Sequence, residues 1–364
     1  MRSGLEQQTE FSVRRERLLA ALKEAHAGAF VITALPNIRY LTGFTGSNAV
    51  LLVTGDRAVF FTDPRYEIQA SEESDCEVKI AKGPLTKELL KWVRRLRLKS
   101  LAFEQNRISF EDFGQLKVGA QGIRLTPLSR VVEKLRMIKS AAEIAAIKRS
   151  AKLNSTALEQ ALRQFRSSMT ERDLAAEIGY RMRRLGADRE AFETIVASGE
   201  RSALPHAQPT SHPIQPNQLL LVDMGATVAG YASDMTRTHA VGKPTSQTRR
   251  MYRAVLESQL AAIHIVRPGV SCTSVDRAAR DVLRSHHLDS LFIHSTGHGL
   301  GLEIHEAPRL GRKEKTKLEP GMAITIEPGV YAERVGGVRI EDTVVVTSTG
   351  CEVLTPTGKE LVVL

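Results

Sequence analysis

The stretch Val222–Thr238, "VDMGATVAGYASDMTRT", sets two aspartates, Asp223 and Asp234, eleven positions apart. An apolar run, Leu219–Val222, leads straight into Asp223, and such a run bounded by turn residues reads as a buried strand. A carboxylate at the end of a buried strand is costly unless something pairs with it. A turn near Val228–Gly230 sends the chain back, so an antiparallel hairpin is expected to set Asp223 and Asp234 nearly opposite one another on one face. Two like charges held that close call for a cation between them.

The same arrangement recurs about a hundred residues later. "PNQLLLVDMG" (Pro216–Gly225) and "PGMAITIEPG" (Pro320–Gly329) lie 104 positions apart, each running proline, six residues, acid, one residue, glycine. "DLAAEIGY" (Asp173–Tyr180) precedes "DRAARDVL" (Asp276–Leu283) by 103 positions. A helix followed by a strand therefore occurs twice in one order, which reads as an internal duplication. The second copy carries Glu327 at the end of its strand and Glu341 on the return. Packed about a pseudo-twofold axis, the copies would bring four carboxylates to one spot. That much negative charge suits two divalent metals sharing the carboxylates. The competing reading for each acid alone is an ordinary solvated or ion-paired carboxylate.

Histidines add nitrogen donors. "HSTGHGLGLEIHEAP" carries His294, His298 and His305 among Gly297, Gly299 and Gly301, and the glycines point to backbone held close to something bound. The spacing is not that of HExxH, so a single-zinc protease helix is not indicated. His206 stands in the proline-flanked "ALPHAQP". Arg339, two residues before Glu341, falls on the same strand face as that acid. It could neutralise surplus charge, contact substrate, or do both.

The first third of the chain mixes elements: a helical "RRERLLAALKEA", a strand Ala29–Leu35 halted by a Pro-Asn turn, and a hairpin Ala49–Asp63 about Gly55-Asp56. A helix near Lys87–Arg97 and a strand "SLAFE" follow, and a long helix opens near Ala141. The whole reads as a mixed α/β (α+β) chain of two domains, 1–131 and 132–364. At 364 residues, 42% hydrophobic and 25% charged, the composition is that of a globular protein. No apolar run approaches the roughly 18 residues of a membrane span, and the N-terminus has no signal-peptide core. Cys76, Cys272 and Cys351 are isolated, so neither a disulfide framework nor a cysteine zinc site is implied, and the cytoplasm is the expected compartment. The net charge of +10 is gathered at Lys91–Lys99, Arg181–Arg184 and Arg312–Lys317. The first two sit in amphipathic helical patterns with few aromatics, a solvated face rather than a nucleic-acid stripe. Neither nucleic acid nor membrane is an expected partner.

With these motifs assembled, residues 132–364 resemble the pita-bread metallopeptidases. The resemblance is carried by Asp223 in "VDMGA", Asp234 in "SDMTRT", His298 in "GHGLG", Glu327 in "EPGVY" and Glu341 in "RIEDT". The N-terminal part, through "LPNIRYLTGFTGSNAVLLV" and "FTDPRYEIQA", resembles the domain found in prolidase, aminopeptidase P and creatinase and absent from methionine aminopeptidase. The resemblance implies a creatinase-like N-terminal domain followed by a duplicated pita-bread domain. It makes Asp234 and Glu341 bridging ligands of two divalent ions, Asp223 a ligand of one, and His298 and Glu327 ligands of the other; Mn²⁺ is favoured over Co²⁺ or Zn²⁺. It gives Glu327 charge of the proton, His206 and His305 catalytic hydrogen bonds, and His206, His294, His305 and Arg339 contacts to substrate. The activity implied is hydrolysis of the Xaa-Pro bond at the N-terminus of dipeptides or short peptides, by a homodimer. A broader aminopeptidase and a non-catalytic binding protein on the same fold are the alternatives.

Overall fold

The computed structural model describes residues 2–364, with side chains from Glu10 onward. Two compact units meet in sequence at Arg136 and Met137. The N-terminal unit holds strands β1 (Ala29–Ile32), β2 (Ala49–Thr54), β3 (Ala58–Thr62), β4 (Glu77–Ile80), β5 (Ser100–Glu104) and β6 (Arg124–Leu128) in one sheet of order β4-β3-β2-β1-β5-β6. Helices α1 (Arg2–Glu24), α2 (Leu35–Thr42), α3 (Glu67–Glu73), α4 (Leu85–Arg95), α5 (Phe110–Gly119) and α6 (Val131–Arg136) complete it. The hairpin about Gly55-Asp56 forms as β2 and β3, in register from Ala49↔Thr62 to Val53↔Ala58.

Two readings of this unit need correction. The first strand stops at Ile32, and Pro36 opens α2 instead of making a turn. Proline suits the first helical turn, where its missing N–H would have had no partner. The acceptor at the head of α2 comes from far away in sequence: Glu104 takes the N–H groups of Thr33 and Ala34 at 2.8 and 3.0 Å. The second correction concerns the boundary expected after residue 131. α6 belongs to the N-terminal unit, because Arg136 donates to Asn37 at 2.7 Å and Glu133 accepts from Arg107 at 2.7 Å.

The C-terminal unit is built twice from the same parts. Its first half has α7 (Ala141–Leu162), α8 (Glu171–Arg184), and strands β7 (Arg189–Glu190), β8 (Ile195–Ser198), β9 (Gln218–Met224), β10 (Ala226–Val228), β11 (Tyr231–Ala232) and β12 (Met235–Val241). Its second has α9 (Ser246–His264), α10 (Cys272–Ser285), and strands β13 (Gly297–Gly299), β14 (Glu306–Leu310), β15 (Ala323–Ile326), β16 (Gly329–Ala332), β17 (Gly336–Arg339), β18 (Asp342–Val346) and β19 (Cys351–Val353). Ser140 and Thr170 begin α7 and α8 with full capping boxes, closed by Glu143 and Asp173. Leu174, Ile178 and Met182 of α8 pack on Leu220, Val222 and Met224 of β9. Val275, Ala279 and Leu283 of α10 pack with Ile324 and Ile326 of β15 in the other half. The paired motifs seen in the sequence thus occupy equivalent places.

The strands form sheets of order β12-β9-β8 and β14-β13-β15-β18-β19, with smaller sheets β11-β10-β7 and β16-β17. The hairpin expected to set the two aspartates nearly opposite one another forms with an interruption. Asp223 faces Thr236, and the ladder of β9 with β12 ends at Met224↔Met235. Beyond it Gly225 lies so close to the Ser233 carbonyl that a Cβ would collide. There the chain leaves one sheet for another, and Asp234 sits at the break.

Candidate metal centre

Each acid is delivered by the end of a strand. Asp223 is the last residue but one of β9, Asp234 precedes β12, Glu327 follows β15, and Glu341 lies between β17 and β18. The two halves grip one another here. Thr236 Oγ1 donates to Glu341 Oε2 at 2.7 Å, and Thr343 Oγ1 donates to the Asp234 carbonyl at 2.9 Å. These threonines stand two residues after Asp234 and two after Glu341, so the exchange is reciprocal across the pseudo-twofold. Asp234, His298 and Glu341 offer ligand atoms all within 4.8 Å of one another.

The His298 tautomer follows from its partner. Nδ1 lies 2.9 Å from the Gly299 carbonyl, which can only accept, so the proton is on Nδ1. In the neutral ring Nε2 is then the position open to a ligand, and it faces Asp234 Oδ2 at 3.5 Å and Glu327 Oε1 at 3.6 Å. A lone pair turned toward two carboxylates is the pose of a metal ligand whose outer nitrogen is held by the backbone.

The carboxylates carry the same message. Glu341 Oε1 and Asp223 Oδ1 are buried without a hydrogen-bond partner. Burial, followed by the neighbouring acids, drives Asp234 and Glu341 well above the usual carboxylate range, and burial raises Glu327. Like charges at such separations repel by roughly 3–4 kcal/mol at an effective dielectric near 20. Oxygen-rich donors with one imidazole, orphaned oxygens and a bare ring nitrogen fit divalent cations.

Arg339 brings a permanent positive charge to the acids. It is buried and donates to Asp223 at 2.6 Å, Tyr331 Oη at 2.7 Å, Thr236 Oγ1 at 3.0 Å and the Pro205 carbonyl at 3.2 Å. Of the two roles allowed by its position in the sequence, the geometry makes it a brace on Asp223. Tyr331 passes the connection on, its hydroxyl 2.8 Å from His294 Nε2, while His294 Nδ1 meets the Ser295 carbonyl at 2.8 Å. Burial, with Arg339 nearby, lowers His294 to about 4. Both its nitrogens are engaged by protein. His305 keeps an exposed edge and meets His298 edge-on, ring centroids 4.5 Å apart. Partial burial and the neighbours His298 and His206 lower it. His206 is exposed.

The space a side chain would need at the three glycines is taken up by the protein's own neighbouring segments. A Cβ at Gly297 would strike the Thr325 carbonyl, one at Gly299 the Ala307 carbonyl, and one at Gly301 the Glu306 carboxylate. They let β13 lie tightly between its own neighbours.

Several supports escaped the sequence reading. Glu171, fully buried on α8, takes the N–H groups of Ser198 and Thr210 and pairs with Arg201 at 3.0 Å, fixing the segment that carries His206. Asp276 on α10 does the equivalent in the second half. It accepts from Thr296 Oγ1 at 2.8 Å and pairs with Arg280, which donates to the Phe292 and His294 carbonyls. Tyr331 lay in a quoted motif and Asp276 opened a repeated one. Their side-chain roles had no local signal.

Comparison with known proteins agrees with this geometry. Residues 145–348 match Metallopeptidase family M24, and residues 14–138 match the Creatinase/Prolidase N-terminal domain. An Xaa-Pro dipeptidase of Pyrococcus furiosus is 35% identical over 96% of this chain and 99% of its own. Among solved structures, an Xaa-Pro dipeptidase from Bacillus anthracis is 40% identical with a TM-score of 0.95, covering 97% of this chain and 100% of that one. An X-Pro aminopeptidase from Thermotoga maritima MSB8 is 35% identical with a TM-score of 0.89, covering 93% and 98%. With its strand-end acids, an imidazole turned toward two of them and a creatinase-type N-terminal domain, this chain belongs to Metallopeptidase family M24, peptide hydrolases that work with divalent metal ions.

Proposed function

We propose that this enzyme hydrolyses the bond between the first residue and a proline at the second position of dipeptides or short peptides, using two divalent metal ions, Mn²⁺ foremost. The observation that carries the reading is the convergence of unpartnered donors: Glu341 Oε1, Asp223 Oδ1 and the bare Nε2 of His298. Asp223, Asp234, His298, Glu327 and Glu341 would hold the ions. Bound there, divalent metals supply Lewis acidity to the scissile carbonyl and to the attacking water. The remaining work falls to side chains. Glu327 accepts one hydrogen bond, from Thr325 at 3.3 Å, and serves to carry a proton from water to the departing prolyl nitrogen. His206 and His305, both with exposed edges, donate to the oxygen on which charge develops. The Arg339–Tyr331–His294 chain holds Asp223 and the pocket wall in place. Proline selectivity rests on the likeness to the Xaa-Pro dipeptidases and the X-Pro aminopeptidase above. An Xaa-Pro amide lacks the N–H that ordinary peptidases pair with.

Three free cysteines support a reducing, cytoplasmic setting. A homodimer is part of the same proposal, to be read by sedimentation as twice the chain mass of 40.1 kDa. The activity is tested on metal-stripped protein given Mn²⁺, comparing Ala-Pro, Ala-Pro-Ala and Ala-Ala. Metal-dependent release of alanine from either proline substrate, with Ala-Ala resistant, is the expected result; their ratio sets the preferred length. Cleavage of Ala-Ala as readily as Ala-Pro overturns the proline reading.

A further inference from the structure

Behind the metal centre, on the reverse face of β12, lies a buried ionic cluster that the proposed mechanism does not use. Its centre is Arg237, 1% exposed. A guanidinium has five N–H donors, and here five acceptors surround it: the carbonyls of Thr236 (2.9 Å), Thr357 (2.7 Å), Gly358 (2.9 Å) and Glu341, and Asp342 Oδ1 (2.7 Å). Asp342, fully buried, also accepts from Gln259 at 2.8 Å and pairs with Lys359 at 2.6 Å.

The placement of these bonds gives the cluster a purpose beyond packing. Thr236-Arg237 on β12 lies against Glu341-Asp342 at the head of β18. On the metal side Thr236 Oγ1 holds the Glu341 carboxylate. Between the strands Glu341 N–H donates to the Thr236 carbonyl at 3.1 Å. On the far side one nitrogen of Arg237 spans the Thr236 and Glu341 carbonyls while the other takes Asp342. Asp234 lies two residues before Thr236, so this clamp fixes the separation of Asp234 and Glu341, the two acids whose mutual repulsion works to part the strands. A lysine would supply the charge but not a planar fork able to reach three groups at fixed angles.

We propose that Arg237 is a positioning residue that sets the Asp234–Glu341 spacing, and with it the affinity for metal, through Thr236, Glu341 and Asp342. The inference rests on the metal-centre reading above. Its test is calorimetric titration of Mn²⁺ into metal-stripped, full-length wild type and Arg237→Lys, with kcat and KM on Ala-Pro measured alongside. Arg237→Lys is expected to bind Mn²⁺ at least about tenfold more weakly, in the range for loss of a group that orients a ligand, and to lose kcat while KM stays within about twofold. If Arg237→Lys does not fold, Asp342→Asn, nearly isosteric, carries the same test with the same direction of change. Unaltered Mn²⁺ affinity in the folded variant, accompanied only by a lower melting temperature of the metal-free protein, overturns the inference and leaves Arg237 a structural residue. Wild type that binds no Mn²⁺ would instead sink the metal-centre reading itself.

Discussion

Asp234 illustrates the conflict built into this site at the scale of single residues. Its carboxyl is buried and raised well above its usual range by burial and by the charges of Asp223 and Glu327, which outweigh nearby Arg339 and the Met235 N–H. Such a group stabilises nothing until a cation arrives. Asp234→Asn is therefore expected to abolish metal-dependent hydrolysis, by more than about 100-fold, the upper end for loss of an outer-shell partner. It should also raise the melting temperature of the metal-free protein by a few degrees, as is common when a strained functional charge is removed. Calorimetry in chelator together with a peptidase assay checks both halves. His206→Ala and His305→Ala should keep full Mn²⁺ binding and lose roughly 10²–10³ in kcat, the usual cost of one oxyanion donor; titration and steady-state kinetics on each variant check this.

His239 makes the opposite kind of residue-scale case. It is buried on β12 with both ring nitrogens unpartnered, and burial, then Arg237, lowers it to about 4. The unfolded chain takes up this proton near pH 6.5, whereas the folded chain resists it until about pH 4. The stability that His239 confers in its neutral form is therefore complete above pH 6.5 and lost progressively down to pH 4. That amounts to about 3 kcal/mol at 1.36 kcal/mol per unit. Urea unfolding of wild type and His239→Leu between pH 7 and 4 should show a stability difference that shifts by that amount in favour of the variant.

The elements around the site show where a single sequence stops being informative. Strand-end acids were legible because apolar runs, proline and glycine mark them locally, and the duplication doubled the signal. The start of α2 was misread because its acceptor, Glu104, stands 70 residues from Ala34. The glycines of β13 were legible as points of close approach, but not what approaches, since Thr325 and Ala307 arrive on other strands. Glu171 and Asp276 were silent for the same reason: a helical acid looks solvated until the loop that it pins is seen. Lys139 belongs with these. Its side chain is 1% exposed and its ammonium meets Glu306 at 3.1 Å, and Glu306 in turn accepts the Glu303 N–H at the loop carrying His305. Breaking a buried pair leaves an uncompensated charge, so Lys139→Met should cost about 3–5 kcal/mol of unfolding free energy. Adding Glu306→Gln should recover much of it. A double-mutant cycle by urea denaturation reads the coupling, and simple additivity of the two costs would contradict it.

Across the whole molecule, the pattern that could be read was the one written twice. Fold class and the two-part organisation followed from helix-strand order repeated at offsets of 103 and 104 residues, and the chain has the expected halves in the expected order. The interruption of the aspartate hairpin was not legible, because the change of sheet at Gly225 depends on Ser233 crossing beside it. The boundary after residue 131 fell short of α6, whose anchors Asn37 and Arg107 lie elsewhere in the N-terminal unit. The clusters Lys91–Lys99 and Arg312–Lys317 are largely exposed, in keeping with a solvated basic surface. The acids, by contrast, are drawn inward, Asp234 and Glu341 buried and Asp223 and Glu327 half-buried, and a basic chain that gathers such acids at its strand ends is suited to holding cations.

The most direct measurement of that claim is a titration of Mn²⁺ into metal-stripped protein, with bound metal and the rate of Ala-Pro hydrolysis followed in the same samples. The rate should be nil at the start and rise with occupancy to a plateau at two equivalents per chain. Full hydrolysis by protein shown to be free of metal, or saturation with Mn²⁺ that leaves Ala-Pro intact, would contradict it.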